Sequence, residues 1–338
     1  MTSADELHER YAFTRGIDYG AILAVSERVA WTVDGTLRQR HFDPAGPIVP
    51  ASWVGDEALA FLDDRECVTL NHCRAFSYVH LLGSFEEFAP PHVAEAAGAD
   101  WHDDRTRLRA LLRFGDEEMK HQQLFLRAER LLEESCGHAF GRYFDDKAKV
   151  IEITAAILDH PPLARFLIVL ALEWGTQRHY VESIRGPSKT PADALYVDIL
   201  KAHWVEEAQH VKCDVLEVAR LACHESAEEL VTVFDHLVAI GSLVDAAFVG
   251  QAEREIETVS RVTGRTFSAA ETIALRGALH RSLSHIFAGI GLGHPSFAMV
   301  AREYRMRAGD PLSATAEVVQ RSASPRKWIG GPGRPAYG

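Results

Sequence analysis

Apolar side chains recur at every third or fourth position through most of this chain, which is the spacing of one face of an α-helix. Stretches with the alternating pattern of a β-strand are almost absent from residue 63 onward. The pattern therefore predicts an all-α fold. Four long segments carry it: residues 64–97, interrupted near Pro90 and Pro91; 104–135; 161 to just before 186; and 190–223.

Residues that favour helix ends support these boundaries. Gly137 follows the second segment, where a C-terminal glycine is common, and Pro162 fits the first turn of the third. Thr190 is the expected N-cap of the fourth segment, with Pro191 after it. Two capping boxes predict the starts of two further helices: Ser226 with Glu229, and Ser268 with Glu271.

The chain divides into four predicted regions. Within the second region, the first two predicted helices resemble the last two in their pattern. The regions are an N-terminal helix (19–31) with a proline-rich connection (43–50), together residues 1–62; a four-helix core, 63–222; additional helices packed on that core, 223–308; and a loose C-terminal arm, 309–338.

Composition and charge exclude several classes of protein. With 338 residues, 47% of them hydrophobic and 25% charged, the chain can bury a sizeable core and is too apolar to be disordered. Acidic residues outnumber basic ones by 48 to 36, which gives a net charge of −12 and disfavours nucleic-acid binding. No run approaches eighteen uncharged apolar residues, so we expect a cytoplasmic protein that does not span a membrane. The five scattered cysteines predict free thiols rather than disulfides or a zinc–thiolate site.

Two copies of the pattern Glu-x-x-His carry the candidate chemistry: Glu118 with His121, and Glu207 with His210. Residues three positions apart share one face of a helix, so each pair can present a carboxylate oxygen and an imidazole nitrogen to one point. A single pair of this kind also occurs by chance, so its surroundings must support it.

A glutamate on the preceding segment supports the second pair. Glu173 interrupts the apolar run 166–174 and lies 34 positions before Glu207. Such an interval allows roughly 20 Å along one helix, a turn and the same distance back, which brings the two carboxylates level. Glu173 would be buried, and a buried carboxylate needs a partner or a metal ion.

The first pair has two glutamates at the equivalent distance, Glu86 and Glu87, which lie 32 and 31 positions before Glu118. Apolar residues share the helix face of Glu86, whereas more polar residues share that of Glu87, so we favour Glu86 and keep Glu87 as the alternative. Glu117 and Glu206, which adjoin the two pairs, are expected on neighbouring faces, either supporting the ligands or exposed to solvent.

Together these residues match the ligand set of ferritin-like di-metal sites, in which a four-helix bundle directs four carboxylates and two imidazoles into its core. Four glutamates carry a charge of −4 and two divalent ions carry +4, so the loaded site would be neutral. His203 lies one turn before Glu207 and extends the stripe, which predicts a third imidazole ligand. The competing interpretation is an ordinary helical bundle in which these residues form solvated faces and ion pairs.

The pattern His203-x-x-x-Glu207-x-x-His210 resembles the arylamine N-oxygenase branch of the ferritin-like di-iron oxygenases. The strings FGDEEMKH (114–121) and EWGTQRHY (173–180) also resemble bacterial proteins of that superfamily. The resemblance covers residues 63–222 and implies a ferritin-like four-helix bundle there, to which the capping boxes and helical periodicity add further C-terminal helices. It further implies two iron ions and O2-dependent oxidation of a small organic molecule, by N-oxygenation or hydroxylation.

Carboxylate and imidazole donors without thiolate suit iron, with manganese as the alternative. The chain carries no glycine-rich dinucleotide fingerprint, so we expect an external electron donor such as a ferredoxin or a flavin reductase. A homodimer is expected from the prevalence of two-fold symmetry. The rival function is a ferritin-like iron- or manganese-binding ferroxidase without an organic substrate. Side chains that either line a substrate pocket or simply fill the core are Phe76, Phe85, Phe114, Leu124, Phe166 and Trp204.

Overall fold

The computed structural model describes residues 4–99, 101, 102, 104–144, 146–185 and 192–308. None of these residues lies in a β-strand and most are helical, so the predicted all-α fold is confirmed. The α-helices, in chain order, are α1 (Ala4–Arg10), α2 (Tyr19–Val29), α3 (Val33–Leu37), α4 (Asp64–Glu86), α5 (Ala89–Gly98), α6 (Arg105–Cys136), α7 (Lys147–Leu158), α8 (Pro162–His179), α9 (Ala194–Ala222), α10 (Ala227–Thr263), α11 (Ala269–Ser284), α12 (Ile290–Leu292) and α13 (Pro295–Ala308). A π-helical segment, Tyr180–Ile184, continues α8, and a second, His285–Gly289, joins α11 to α12.

Side-chain caps explain where the long helices begin and end. Asp63 and Glu66 form a capping box at the start of α4, and the Asp104 side chain accepts two backbone N–H bonds at the start of α6. Gly137 ends α6 with φ of 67°, a left-handed conformation that glycine adopts without strain. Both predicted capping boxes form, at the starts of α10 and α11.

Two parts of the helix prediction differ from the structure. The fourth predicted helix covers 190–223, but α9 begins at Ala194, where the Asp193 side chain caps it by accepting hydrogen bonds from two backbone N–H groups. Thr190 and Pro191, which were expected to start it, lie outside the described residues, as does the predicted arm 309–338. Helix α7 has no counterpart among the predicted segments; it buries only Ile157, so the apolar face that would reveal it is weak.

Pairwise packing places the four long core helices around one another. Helix α4 packs against α6, α8 against α9, and α6 against α9. Helix α2 lies against α6 and α9, while α10 lies against α4 and α8, so each of these helices covers one side of the core. One connected cluster of buried apolar side chains extends from Leu7 in α1 to Tyr304 in α13. The first three predicted regions therefore share a single core over the described residues.

Helix α10 is the one described helix that is long and apolar enough to cross a membrane by length and composition. Its most apolar window of 18 residues has a mean hydropathy of 1.6, and 28% of that window is buried inside the protein. A single helix of this kind is weak evidence for a membrane span, because core helices of soluble proteins share these properties.

His80 of α4 joins three parts of the fold and makes stability depend on pH. Its Nδ1 lies 3.0 Å from Glu129 Oε1 of α6, and its Nε2 lies 3.0 Å from Asp146 Oδ1. Burial alone would lower the pKa of His80, but the hydrogen bonds to Asp146 and Glu129 outweigh it and raise that pKa to about 9.

We expect the free energy of unfolding to fall as the pH rises through about 9. The reason is that a histidine whose pKa is raised by folding stabilises the protein fully below its unfolded pKa, near 6.5, and loses that contribution as it deprotonates. In urea titrations at pH 6.5 and 9.5, wild type should lose roughly 2 kcal/mol more than His80→Gln between the two pH values. Equal losses in the two proteins would contradict this role for His80.

Candidate metal centre

Three helices bring six of the predicted ligands to one buried region. Glu86 is the last residue of α4, and the middle of α6 carries Glu118 and His121. A stripe along α9 carries the remaining three, which are His203, Glu207 and His210. None of the six is more than 7% exposed.

The six side chains form two adjoining groups, each able to hold a metal ion. Group 1 consists of Glu86, His121, His203 and Glu207, and group 2 consists of Glu118, His121, Glu207 and His210. Within each group the ligand atoms all lie within 4.8 Å of one another. His121 and Glu207 belong to both groups, so two ions bound there would be neighbours. The buried His/Glu cluster that the sequence predicts is therefore confirmed.

The donor atoms of group 2 point toward a shared space rather than toward one another. His210 Nδ1 lies 2.6 Å from Glu118 Oε1 and 3.3 Å from Glu207 Oε1, and His121 Nδ1 lies 3.1 Å from the same Glu207 oxygen. Despite these short distances, both Nδ1 atoms and Glu207 Oε1 lack a hydrogen-bond partner of acceptable geometry. Buried polar atoms are rarely left unpaired, and one metal ion would satisfy all three.

Group 1 differs from group 2 in that its histidine nitrogen is paired. His203 Nε2 donates a hydrogen bond to Glu86 Oε1 at 3.0 Å and lies 3.1 Å from Glu207 Oε1. The second oxygen of Glu86 lies 3.7 Å from His121 Nδ1 and has no hydrogen-bond partner. Glu86 is thus directed into the cluster, whereas the neighbouring Glu87 is exposed. Of the two glutamates left open by the sequence, only Glu86 is placed to act as a ligand.

Two further carboxylates orient the paired histidines, each from the opposite helix. His121 Nε2 donates a hydrogen bond to Glu206 Oε2 at 3.0 Å, and His210 Nε2 donates to Glu117 Oε2 at 3.1 Å. These bonds leave Nδ1 of each ring directed into the groups. Bonds of this kind hold the orientation of a ligand imidazole and increase its basicity. Glu117 and Glu206 are 1% and 0% exposed, so they support the ligands rather than face solvent.

Partly exposed cations anchor both of these supporting carboxylates. Glu206 Oε1 accepts a hydrogen bond from Lys120 Nζ at 2.5 Å. Glu117 Oε1 accepts one from Ser26 Oγ of α2 at 2.6 Å and one from Arg113 Nε at 3.0 Å. Ser26 carries no sequence signal of this role, because it lies 91 positions from Glu117 and only the packing of α2 brings them together.

Charge neighbours shift the pKa values of the cluster strongly. Burial alone would lower the pKa of His121, but the surrounding carboxylates of Glu118, Glu206 and Glu207 raise it to about 10. The pKa of His210 is likewise raised, because Glu207 and Glu118 outweigh the effect of burial. Protons therefore compete with a metal ion for the nitrogens of both rings. A bound metal ion would displace those protons, so metal uptake should release acid.

Glu173, the remaining predicted ligand, is buried beside the cluster but belongs to neither group. It faces Asp214 of α9, a fully buried carboxyl one turn beyond His210. Burial, followed by the charge of Asp214, raises the pKa of Glu173, and burial raises that of Asp214. A proton on either carboxyl would relieve their repulsion. The ligand role of Glu173 stays a prediction, and Asp214 is a neighbour that the sequence analysis missed, although it continues the α9 stripe.

A cavity of only about 10 Å³ lies beside His203. Tyr78 and Leu82 of α4 contribute to its wall, as do Gln177, Trp204 and the π-helical continuation of α8. Of the six side chains considered as pocket residues, Trp204 lines this space. The other five belong to the hydrophobic core or pack against it: Phe76, Phe85, Phe114, Leu124 and Phe166.

Comparisons with protein-family models, curated proteins and solved structures found no match to this chain.

The donor set consists of imidazole nitrogens and carboxylate oxygens. The unpaired donor atoms and the absence of thiolate from both groups fit hard or borderline divalent metals such as iron and manganese.

Replacing either supporting carboxylate should weaken metal binding without removing a ligand. We expect Glu206→Gln and Glu117→Gln each to lower the affinity for a divalent metal by about tenfold, because the neutral amide holds the imidazole less firmly and reduces its basicity. Competition with a chromogenic chelator measures this affinity. Glu87→Gln is the matched control on the exposed side of α4 and should bind as wild type does. Wild-type affinity in all three variants would show that the hydrogen bonds from His121 to Glu206 and from His210 to Glu117 do not contribute to metal affinity.

Proposed function

We propose that this chain is a non-haem di-iron oxygenase of the ferritin-like class, which uses O2 to oxidise a small organic molecule. The observation that carries the proposal is the pair of buried groups that share His121 and Glu207. The Glu207 carboxylate could serve both groups, whereas His121 Nδ1 could bind only one ion, and two ions held in this way would lie close enough to act on one O2 molecule together. The resemblance of the α9 stripe to arylamine N-oxygenases supports N-oxygenation or hydroxylation as the reaction.

Iron ions in these groups would supply the electrons that reduce O2, and the protein side chains have separate tasks. Glu86, Glu118 and Glu207 provide negative charge that compensates the cations, with Glu173 as the predicted fourth carboxylate. Glu117 and Glu206 hold the ring nitrogens of His210 and His121 in place through their hydrogen bonds. The nearby apolar core limits access of water, which protects a reactive centre from side reactions.

His203 distinguishes this ligand set from one with a single imidazole for each metal. Its nitrogen is neutral when it binds a metal, so it fills a coordination position without changing the net charge of the site. It also touches the enclosed space lined by Tyr78, Gln177 and Trp204. The space holds no more than about one water molecule as it stands, so we propose that the organic substrate binds on this side of the cluster only after these side chains move apart.

The proposal has several further components. Iron is the expected metal and manganese the alternative, and an external ferredoxin or flavin reductase supplies two electrons per turnover. We further propose a cytoplasmic homodimer. The rival function, a ferroxidase without an organic substrate, uses the same cluster and is separated from the oxygenase by its products.

Metal analysis of protein produced with iron is the first test. We expect about two iron ions per chain by plasma mass spectrometry, one for each group. Mixing the ferrous protein with O2 in the presence of a panel of amines and arenes should then yield an oxygenated product that carries label from ¹⁸O2. Consumption of O2 with accumulation of ferric iron and no organic product would favour the ferroxidase. A chain that cannot be loaded with iron or manganese would refute both functions.

A further inference from the structure

Each histidine of the two groups is in contact with one aromatic ring, and only one of these rings reaches the surface. Phe114 packs on His210 with 4.0 Å between ring centroids, and Phe125 packs on His203 at 5.1 Å. These two phenylalanines are 2% and 0% exposed. Trp31 packs on His121 and is only half-buried. It is therefore the aromatic contact that joins solvent to a predicted ligand.

The contact between Trp31 and His121 is a parallel stack. The ring centroids are 5.8 Å apart and the ring planes differ by 8°. Trp31 lies on the short connection between α2 and α3, so its position depends on the packing of this N-terminal segment against α6. His121 belongs to both metal groups, and this stack therefore leads to the centre of the cluster.

We propose that Trp31 is the contact through which electrons enter the metal pair from an external one-electron donor. This inference rests on the proposed oxygenase function, which requires two electrons from outside the chain. Each donor molecule would lose one electron, and two such transfers would reduce the metal pair by two electrons. No bond forms or breaks at Trp31. Electron transfer falls steeply with distance, so a route through rings in contact is favoured over one through solvent or aliphatic packing.

The charge of Lys120 makes oxidation of the Trp31 indole less favourable. Its Nζ lies 4.3 Å from the centre of the Trp31 ring and 2.5 Å from Glu206 Oε1. A positive charge above the ring attracts its π electrons and makes their removal more costly. Trp31 thus connects an external donor to the metal pair, while the adjacent Lys120 charge opposes oxidation of the Trp31 ring by the oxidised metals.

Trp101 provides a control tryptophan outside the cluster. It is 61% exposed, and its ring contacts the adjacent His102. Replacing it removes a tryptophan without changing a residue of either metal group or of the cavity beside His203.

The first readout tests contact with the metal and needs no turnover. The full-length metal-free protein is titrated with Co²⁺, an open-shell ion that quenches the fluorescence of nearby tryptophan. We expect quenching in wild type and in Trp101→Phe, and a clearly smaller fractional loss of fluorescence in Trp31→Phe. Quenching that is as strong in Trp31→Phe as in wild type would overturn the assigned contact.

The second readout is the rate at which a protein donor reduces the oxidised, iron-loaded chain. The probe is a chemically reduced [2Fe–2S] ferredoxin, followed by stopped-flow absorbance. We expect Trp31→Leu to slow reduction by about tenfold, Trp31→Phe to recover part of the rate, and Trp101→Phe to resemble wild type. Iron content is measured for every variant, so that loss of metal is not mistaken for slow transfer.

The outcomes separate this inference from the function on which it rests. Wild-type reduction rates in an iron-loaded Trp31→Leu protein would overturn the electron-entry role and leave the oxygenase proposal intact. Absence of Co²⁺ and iron binding in every protein would overturn both. A slowed rate in Trp31→Leu, with full iron content and partial rescue by phenylalanine, would support Trp31 as the entry contact.

Discussion

Replacing Glu207 by alanine should remove metal from both groups at once. Glu207 supplies an oxygen to group 1 and to group 2, so its loss reduces the donors at both positions. We expect the affinity for a divalent metal to fall by more than about 100-fold. Replacing a residue that only hydrogen-bonds a ligand lowers the affinity by up to about 100-fold, and Glu207 is itself a predicted ligand. Metal content per chain, measured by plasma mass spectrometry after exchange into metal-free buffer, should fall from about two ions to fewer than one.

Glu87→Ala is the matched control for this prediction. It removes a glutamate that adjoins Glu86 in sequence but is exposed to solvent, so metal content should stay at the wild-type value. Circular dichroism of both variants checks that the helices persist. Two tightly bound ions in Glu207→Ala would contradict the shared-ligand assignment. Loss of metal in Glu87→Ala would instead assign a ligand role to Glu87.

Replacing Arg74 by methionine should cause one of the largest losses of stability in the chain. Arg74 of α4 forms a 2.8 Å ion pair with Glu255 of α10, and both side chains are completely buried. Burial raises the pKa of Glu255, and the charge of Arg74 opposes that rise. Removing the arginine leaves an uncompensated carboxyl in the core, which costs about 3–5 kcal/mol. Urea titration at neutral pH measures the change in the free energy of unfolding.

Two further variants test the cause of that loss. In the double variant Arg74→Met with Glu255→Leu no buried charge remains, so its stability should recover toward that of wild type. Arg276→Met breaks an ion pair with Glu253 in which both side chains are over two-fifths exposed, and it should cost less than about 1 kcal/mol. A double variant as unstable as Arg74→Met would indicate that packing, rather than the unpaired charge, dominates.

The supporting carboxylates show why part of the centre could not be predicted. The spacing of Glu118 and His121, or of Glu207 and His210, is a property of one helix, so the sequence reveals it directly. The bonds from His121 to Glu206 and from His210 to Glu117 join α6 to α9, whose residues lie 85 and 93 positions apart. Helical periodicity shows on which face of its helix each of these glutamates lies. It does not show which other helix packs against that face.

Glu86 and Glu87 illustrate the same limit on a smaller scale. Adjacent residues on a helix point about 100° apart, so one of the two could face the cluster and the other could not. The surrounding apolar residues favoured Glu86, but the choice depends on how α4 is rotated against α6. The structure decides it by burying Glu86 to 7% exposure and leaving Glu87 in solvent.

The sequence by itself determined the all-α fold, most ends of the long helices and the ligand pairs, because these depend on local periodicity and capping. Only the tertiary structure decided the rotation of α4, the crossed bonds of Glu117 and Glu206, and the neighbours Asp214 and Trp31. Each of these depends on how helices distant in sequence pack together. Contacts of that kind are selected by the whole core, in which every side chain must fit its neighbours at near-crystalline density.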